Sequence, residues 1–211
     1  MTMTHDAPPR AGLVLLAAGG SARLGQAKQL LMVGGRTLLT HTAQAAQNSV
    51  CRPLVAVLGA QAERMRMELA GLEFRVVENE QWHLGMGSSV RGGLNALLAL
   101  APNVEAAVFA VCDQPFLTAG VLNSLADAHT QNGALIAACA YGGTVGVPAL
   151  FARALFSELL ALPDEAGAKQ ILTRHLSDVV RVPFPEGLTD IDTPEDYARL
   201  RRSVIDMLPL A

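Results

Sequence analysis

The chain has 211 residues, 51% of them apolar, and a net charge of −3. That length and an apolar half dominated by Val, Leu and Ala suit one compact domain with a buried sheet covered by helices. No basic stripe suggests a nucleic-acid groove, and no apolar stretch reaches membrane-spanning length without a Gly, Pro or charge, so neither nucleic acid nor a membrane is an expected partner.

Met1–Arg10 lacks an apolar run, contains Pro8 and Pro9, and reads as a loose tail rather than a signal peptide. Residues 11–211 read as a single domain. Leu13–Ala17, after Gly12, predicts a buried strand, and Gly19–Gly25 a loop. Thr37–Gln47 has helical spacing, with Leu38, His41, Thr42 and Ala45 on one side. Leu54–Leu58 predicts a strand, Gln61–Leu69 a helix with one charged face, and Phe74–Val77 a short strand. Ser88–Leu100 predicts a helix opened by a serine cap. Ala106–Val111 predicts a strand, with Asp113 just beyond it. Thr118–His129 follows as a helix and Ala134–Ala140 as a strand. Phe151–Leu160 and Ala168–His175 predict helices, and Val179–Val182 a strand. Thr193-Pro194-Glu195-Asp196 opens a last helix with threonine as cap, proline in first position and Asp196 as a capping-box acid.

Strands alternating with helices predict an α/β fold with right-handed crossovers and a mainly parallel sheet, and ligands gather at the carboxyl ends of such strands. Cys51, Cys112 and Cys139 are widely spaced, without CxxC or Cys/His ligand spacing. They read as small core residues with free thiols, in keeping with a cytoplasmic location.

The segment Leu16-Ala17-Ala18-Gly19-Gly20-Ser21-Ala22-Arg23-Leu24-Gly25-Gln26-Ala27-Lys28 follows the first strand. Glycines let backbone N–H groups approach an anion, and Arg23 and Lys28 add charge, which suits a polyphosphate. It is not a Walker loop, since Gln26 stands where lysine is required, and it does not fit GxGxxG. Glycine content alone leaves a flexible turn equally open.

The whole segment resembles the LAAGxGxRxGxxK signature of nucleotidyltransferases, with Ser21 where a second glycine is common. Asn79–Gly93, Cys112–Thr118, Gly146–Phe151, Gly167–Leu172 and Asp190–Tyr197 resemble, in order, further blocks of one branch. That branch is the molybdenum cofactor cytidylyltransferases and their relatives among the MobA-like NTP transferases. The resemblance spans about Leu13 to Tyr197. It implies a three-layer, Rossmann-like nucleotidyltransferase fold and transfer of a nucleoside monophosphate to a phosphate acceptor, with release of pyrophosphate.

Asp113, past a strand end, is either plain turn chemistry or a ligand for a hard cation. The resemblance makes it a ligand for Mg²⁺, with Asp190 as the second. Asp192, two residues on, reads as part of the cap at Thr193. The resemblance also makes Arg23, Lys28 and Asp113 catalytic. It puts the nucleotide on Leu16, Ala17, Ala18, Gly19, Gly20, Arg23, Lys28, Asn79, Ser88 and Ser89. Lys169, at a helix start, is the expected acceptor-phosphate site; the family's preceding Gly-Asp pair is here Asp164-Glu165. The glycine-rich loop Tyr141–Pro148 reads as an acceptor-side wall. Trp82 reads as a stacking surface or a packing anchor, and His83 is not expected to catalyse.

Two features favour cytidine over guanosine. Ala18 stands where the guanylyl branch usually carries glycine, and the Asp-Gln-Pro-Phe-Leu block is similar to that of the cytidylyl branch. The expected substrates are therefore CTP and molybdopterin, with a molybdenum hydroxylase as a conceivable client. The alternatives are transfer with another base or acceptor, such as GTP or a sugar phosphate, and a non-catalytic protein that binds the molybdenum cofactor.

Overall fold

Along strand β1 (Ala11–Ala17), Leu13, Leu15 and Ala17 enter one apolar cluster while Val14 and Leu16 enter another. This period-two alternation, with every residue buried, is what a central strand covered on both faces requires. The structure is a computed structural model that describes residues 11–21, 24–189, 191 and 193–207. The predicted tail Met1–Arg10 lies outside these described residues, as do Ala22, Arg23, Asp190 and Asp192.

After β1 come a short hairpin, β2 (Met32–Val33) and β3 (Arg36–Thr37), and helix α1 (Leu38–Gln47). Then follow β4 (Leu54–Leu58), α2 (Ala62–Glu68), β5 (Phe74–Glu78), α3 (Met86–Leu100), β6 (Ala106–Val111) and α4 (Ala119–Asn132). The chain continues through β7 (Ile136–Tyr141), β8 (Thr144–Ala152), α5 (Phe156–Leu160), α6 (Lys169–Arg174), β9 (Val179–Pro183) and α7 (Pro194–Met207). Seven strands form one sheet in the order β5-β4-β1-β6-β8-β7-β9. Helices α1, α2 and α4 pack against one face through Leu39, Met65 and Leu122. Helices α3, α5 and α6 pack against the other through Leu94, Leu159 and Ile171. The predicted three-layer, mainly parallel α/β fold is the observed one.

The chain passes from β1 outward to β4 and β5, then returns to β6 on the other side of β1. That reversal opens a crevice above the carboxyl ends of β1 and β6.

Two expectations need correction. The glycine-rich segment after Tyr141 is not a loop: Gly142 and Gly143, both at positive φ, turn a hairpin into β8. Strand β8 runs antiparallel to both β6 and β7, and it extends through Phe151, so the predicted helix begins only at Phe156. Pro148 falls where the β7–β8 register shifts, between the pairs Ala138↔Ala149 and Cys139↔Gly146, so its missing N–H costs no ladder bond. The second correction is the serine cap. Helix α3 starts at Met86, Gly85 precedes it without a side-chain cap, and Ser88 lies inside the first turn. The capping box of α7 is as predicted. The Thr193 N–H donates to Asp196 Oδ2 at 3.0 Å, and the Asp196 N–H donates to Thr193 Oγ at 3.2 Å.

Helix α3 lies close on the sheet because Gly93 has no side chain. A Cβ there would sit 2.4 Å from Val14 Cγ1 and 2.9 Å from Val57 Cγ2, whereas one at neighbouring Gly92 would meet nothing within 4 Å. Gly92→Ala should therefore stabilise the protein by about 0.5–1 kcal/mol through helix propensity alone. In Gly93→Ala the same gain is outweighed by overpacking of about 1–3 kcal/mol against two stiff valines, giving net destabilisation. Urea unfolding of the two variants checks the opposite signs.

Candidate active site

Past Ala17, β1 loses its neighbours, and the carbonyls of the next turns find other donors. Ala18 O accepts from Ala60 N–H at 3.1 Å. Ala17 O and Gly19 O accept from the side-chain amide of Gln29, at 3.1 and 2.7 Å. Gln29 belongs to a single tight turn, Lys28–Leu30, and is only 1% exposed. Its Oε1 accepts from Ser21 Oγ at 3.2 Å, and the same hydroxyl oxygen accepts from the Lys28 N–H at 3.0 Å. Ser21 has φ of 53°. A Cβ on Gly19 would meet nothing, so that side of the loop is open to a ligand. One on Gly20 would lie 2.8 Å from the Trp82 ring, and one on Gly59 would lie 2.7 Å from both Ala18 O and Trp82. Glycine at these two places lets the indole wedge against the loop.

Lys28 and Asp113 meet across 85 positions of sequence, Nζ to Oδ2 at 2.5 Å, with side chains 21% and 17% exposed. The tight turn after the loop carries the lysine, and the end of β6 carries the aspartate. The other carboxylate oxygen, Asp113 Oδ1, is buried with no hydrogen-bond partner among the described residues. A buried carboxylate oxygen without a donor fits a hard cation, which draws its remaining ligands from phosphates and water. Among the described residues no group of three His, Cys, Asp or Glu comes together. Neighbouring Cys112 is buried, and desolvation with help from the Asp113 charge pushes its thiol up to about 12. A thiol so protonated is no nucleophile at neutral pH. All three cysteines are buried and free, as expected.

Asn79 follows β5. Its Oδ1 accepts from the Gln81 N–H at 3.0 Å, which turns Nδ2 toward Ser88 Oγ and Ser89 Oγ, each at 2.9 Å. Ser88 passes its own proton to the carbonyls of Gln81 and Gly85. Ser89 also accepts from Asn79, and its proton has no acceptor among the described residues.

These parts surround a cleft of about 320 Å³. Of the residues expected to hold a nucleotide, Leu16, Ala17, Ala18, Gly19, Gly20, Lys28 and Ser89 line it, and so does Asp113. Asn79 and Ser88 stand behind this wall and orient it. Lys169 is exposed on α6, while Gly167, two residues earlier, lies beside Met86 of the cleft wall. Arg23 and Asp190 lie outside the described residues. Sequence reasoning missed Gln29, because a single glutamine beside Lys28 and two leucines carries no periodic signal of burial. It left Trp82 open between stacking and packing; the ring packs against Gly20 and Gly59 and lines the cleft.

The MobA-like NTP transferase domain matches residues 13–179 of the chain. The nicotine blue oxidoreductase of Paenarthrobacter nicotinovorans is 32% identical over 199 residues, covering 89% of this chain and 94% of that protein. Among solved structures, a homologue of Mycobacterium tuberculosis Rv0371c from Mycobacterium sp. strain JC1 is 33% identical, with a TM-score of 0.80 over 96% of this chain and 100% of that one. Rv0371c itself, solved in complex with manganese, is 28% identical with a TM-score of 0.73, covering 92% and 99%. The chain belongs to the MobA-like NTP transferase family, and is a nucleotidyltransferase of that family.

Trp82 is the only tryptophan in the chain, so its emission reports on this cleft alone. Titration with a nucleoside triphosphate and Mg²⁺ should change that emission saturably. An unchanged spectrum at saturating nucleotide, verified by calorimetry, would count against occupancy beside the indole.

Proposed function

We propose, from membership in this family, that the protein transfers CMP from CTP to molybdopterin and releases pyrophosphate. The observation that carries the reading is the Lys28–Asp113 pair under the glycine loop, with Asp113 Oδ1 left without a donor among the described residues. On this reading the loop amides around Ala18–Gly20 bind phosphate oxygens, and Lys28 neutralises charge growing on the bridging and leaving oxygens. Arg23 adds a second cation to the same loop. An oxygen of the acceptor phosphate attacks the α-phosphorus in line; one P–O bond forms, the bond to pyrophosphate breaks, and no general base is needed because the attacking oxygen is already ionised. Catalysis is positioning plus electrostatics. Asp113, with Asp190, would hold Mg²⁺, which when bound supplies positive charge to the triphosphate.

Two points support cytidine. The methyl group of Ala18 narrows the cleft, although one methyl gives only about 1–3 kcal/mol of discrimination. The Ser89 hydroxyl, already accepting from Asn79, has a proton to donate, which suits a base edge offering acceptors such as cytosine O2 and N3. The guanine edge with its N1–H and N2 donors suits it less. Lys169 and the Gly167–Met86 contact belong on the acceptor side of this reading.

Pyrophosphate release with CTP, GTP, ATP and UTP, each with Mg²⁺ and molybdopterin, tests the proposal. Release with CTP alone is expected. Lys28→Ala and Asp113→Asn should each lower kcat by about 10²–10³, the effect of removing one electrostatic stabiliser. Near-normal turnover of Asp113→Asn at saturating Mg²⁺ would refute the metal assignment. Release with GTP alone would move the reading to guanylyl transfer, and release with no nucleotide would favour a cofactor-binding protein.

A further inference from the structure

We infer that Gln29 is a positioning residue for the triphosphate: its buried side-chain amide sets the direction of the loop N–H groups and, through Ser21, the seat of Lys28. The inference rests on the reading of the cleft as a triphosphate site. A trans peptide is planar, with its C=O and N–H pointing in opposite directions. Gln29 Nε2 holds the carbonyls of Ala17 and Gly19, so the N–H groups of Ala18 and Gly20 point away from Gln29. Ala60 N–H holds the carbonyl of Ala18 and sets the peptide between them. Three consecutive peptide planes are thus fixed by side-on hydrogen bonds rather than by a strand.

The other end of the Gln29 side chain faces the lysine. Oε1 takes the proton of Ser21 Oγ, and that oxygen takes the Lys28 N–H. The amide orientation is unambiguous, because the two carbonyls require donors and the serine proton requires an acceptor. Glutamate, of the same shape, would set a carboxylate against two carbonyl oxygens. Gln29 lines the floor of the cleft but is only 1% exposed, and its amide is engaged by the carbonyls of Ala17 and Gly19 and by Ser21, so it acts through the loop.

The test compares Gln29→Glu, Gln29→Met and Ser21→Gly. The last keeps the positive φ of Ser21 without strain and removes only the relay hydroxyl, so it reports on the relay even where a buried Gln29 variant fails to fold. Calorimetry with CTP and Mg²⁺ should show a dissociation constant raised about tenfold or more in Gln29→Met, further in Gln29→Glu, and less in Ser21→Gly. The KM for the triphosphate should follow, while the KM for molybdopterin stays within about twofold, a split that a loss of general stability would not produce. Triphosphate affinity within twofold of the unsubstituted protein in Ser21→Gly and in a folded Gln29→Met overturns the inference alone. A parallel rise of both KM values also overturns it. If the unsubstituted protein binds GTP and not CTP, the same comparison is made with GTP; failure to bind CTP, GTP, ATP and UTP alike overturns the triphosphate reading and takes this inference with it.

Discussion

Everything at this site depends on what happens to the main chain where β1 runs past its neighbours. Inside the sheet each peptide group of β1 is satisfied by β4 on one side and β6 on the other. Beyond Ala17 that supply ends, and the carbonyls of Ala17, Ala18 and Gly19 take other donors. Ala60 and the Gln29 side chain provide them. Their placement leaves the opposite edges of the same peptides, the N–H edges, for something else to satisfy. With the carbonyls of Ala17, Ala18 and Gly19 held, and no acceptor for the N–H groups of Ala18, Gly19 and Gly20 among the described residues, the loop presents amides in a way that suits an anion.

The far wall of the cleft is built by a different constraint, the close approach of α3. Gly12 of β1 leaves room for Leu97 of the helix, and Gly93 of the helix lets it sit against Val14 and Val57. At its first turn Gly85 and Gly87 press against the backbone of Pro163 and Asp164, and the Gly87 N–H donates to Asp164 O at 2.8 Å. Arg91, one turn on, donates to Leu162 O and to the Asp164 carboxylate. That ion pair is partly exposed, so its contribution is more geometric than energetic. The helix that carries Ser89 thus also carries the segment before α6, and the two sides of the cleft share one support.

Sequence was most informative where one physical signal dominated. The apolar runs of β1 and β4 are buried throughout and that of β6 in all but its last residue, Val111, and their period and length were enough to place them. The capping box at Thr193 was legible because two short-range hydrogen bonds define it. Legibility failed where tertiary context overrode local preference. Gly146 and Pro148 argue against a strand, yet β8 crosses the sheet there because the β7 register shift removes the need for the missing proline N–H. Ser88 has the chemistry of a cap, but Asn79 draws it into the first turn of α3. Within the site, the glycine loop and Asp113 were readable as chemistry, while Gln29 was not, since its role depends on peptide orientations that no spacing encodes.

Ser21 shows how a departure from the familiar signature is accommodated. The signature often has glycine there, which enters the left-handed region freely, whereas serine at φ of 53° costs about 1–3 kcal/mol. The hydroxyl offsets that cost twice over, donating to Gln29 and accepting from Lys28 N–H, with each net hydrogen bond contributing about 0.5–1.5 kcal/mol. The two sums nearly cancel, so serine brings little or no net stability over glycine. What it adds is linkage. With glycine the direction of the loop amides and the position of the lysine would be set independently. With serine the same buried amide governs both, and a displacement of either is resisted by the other.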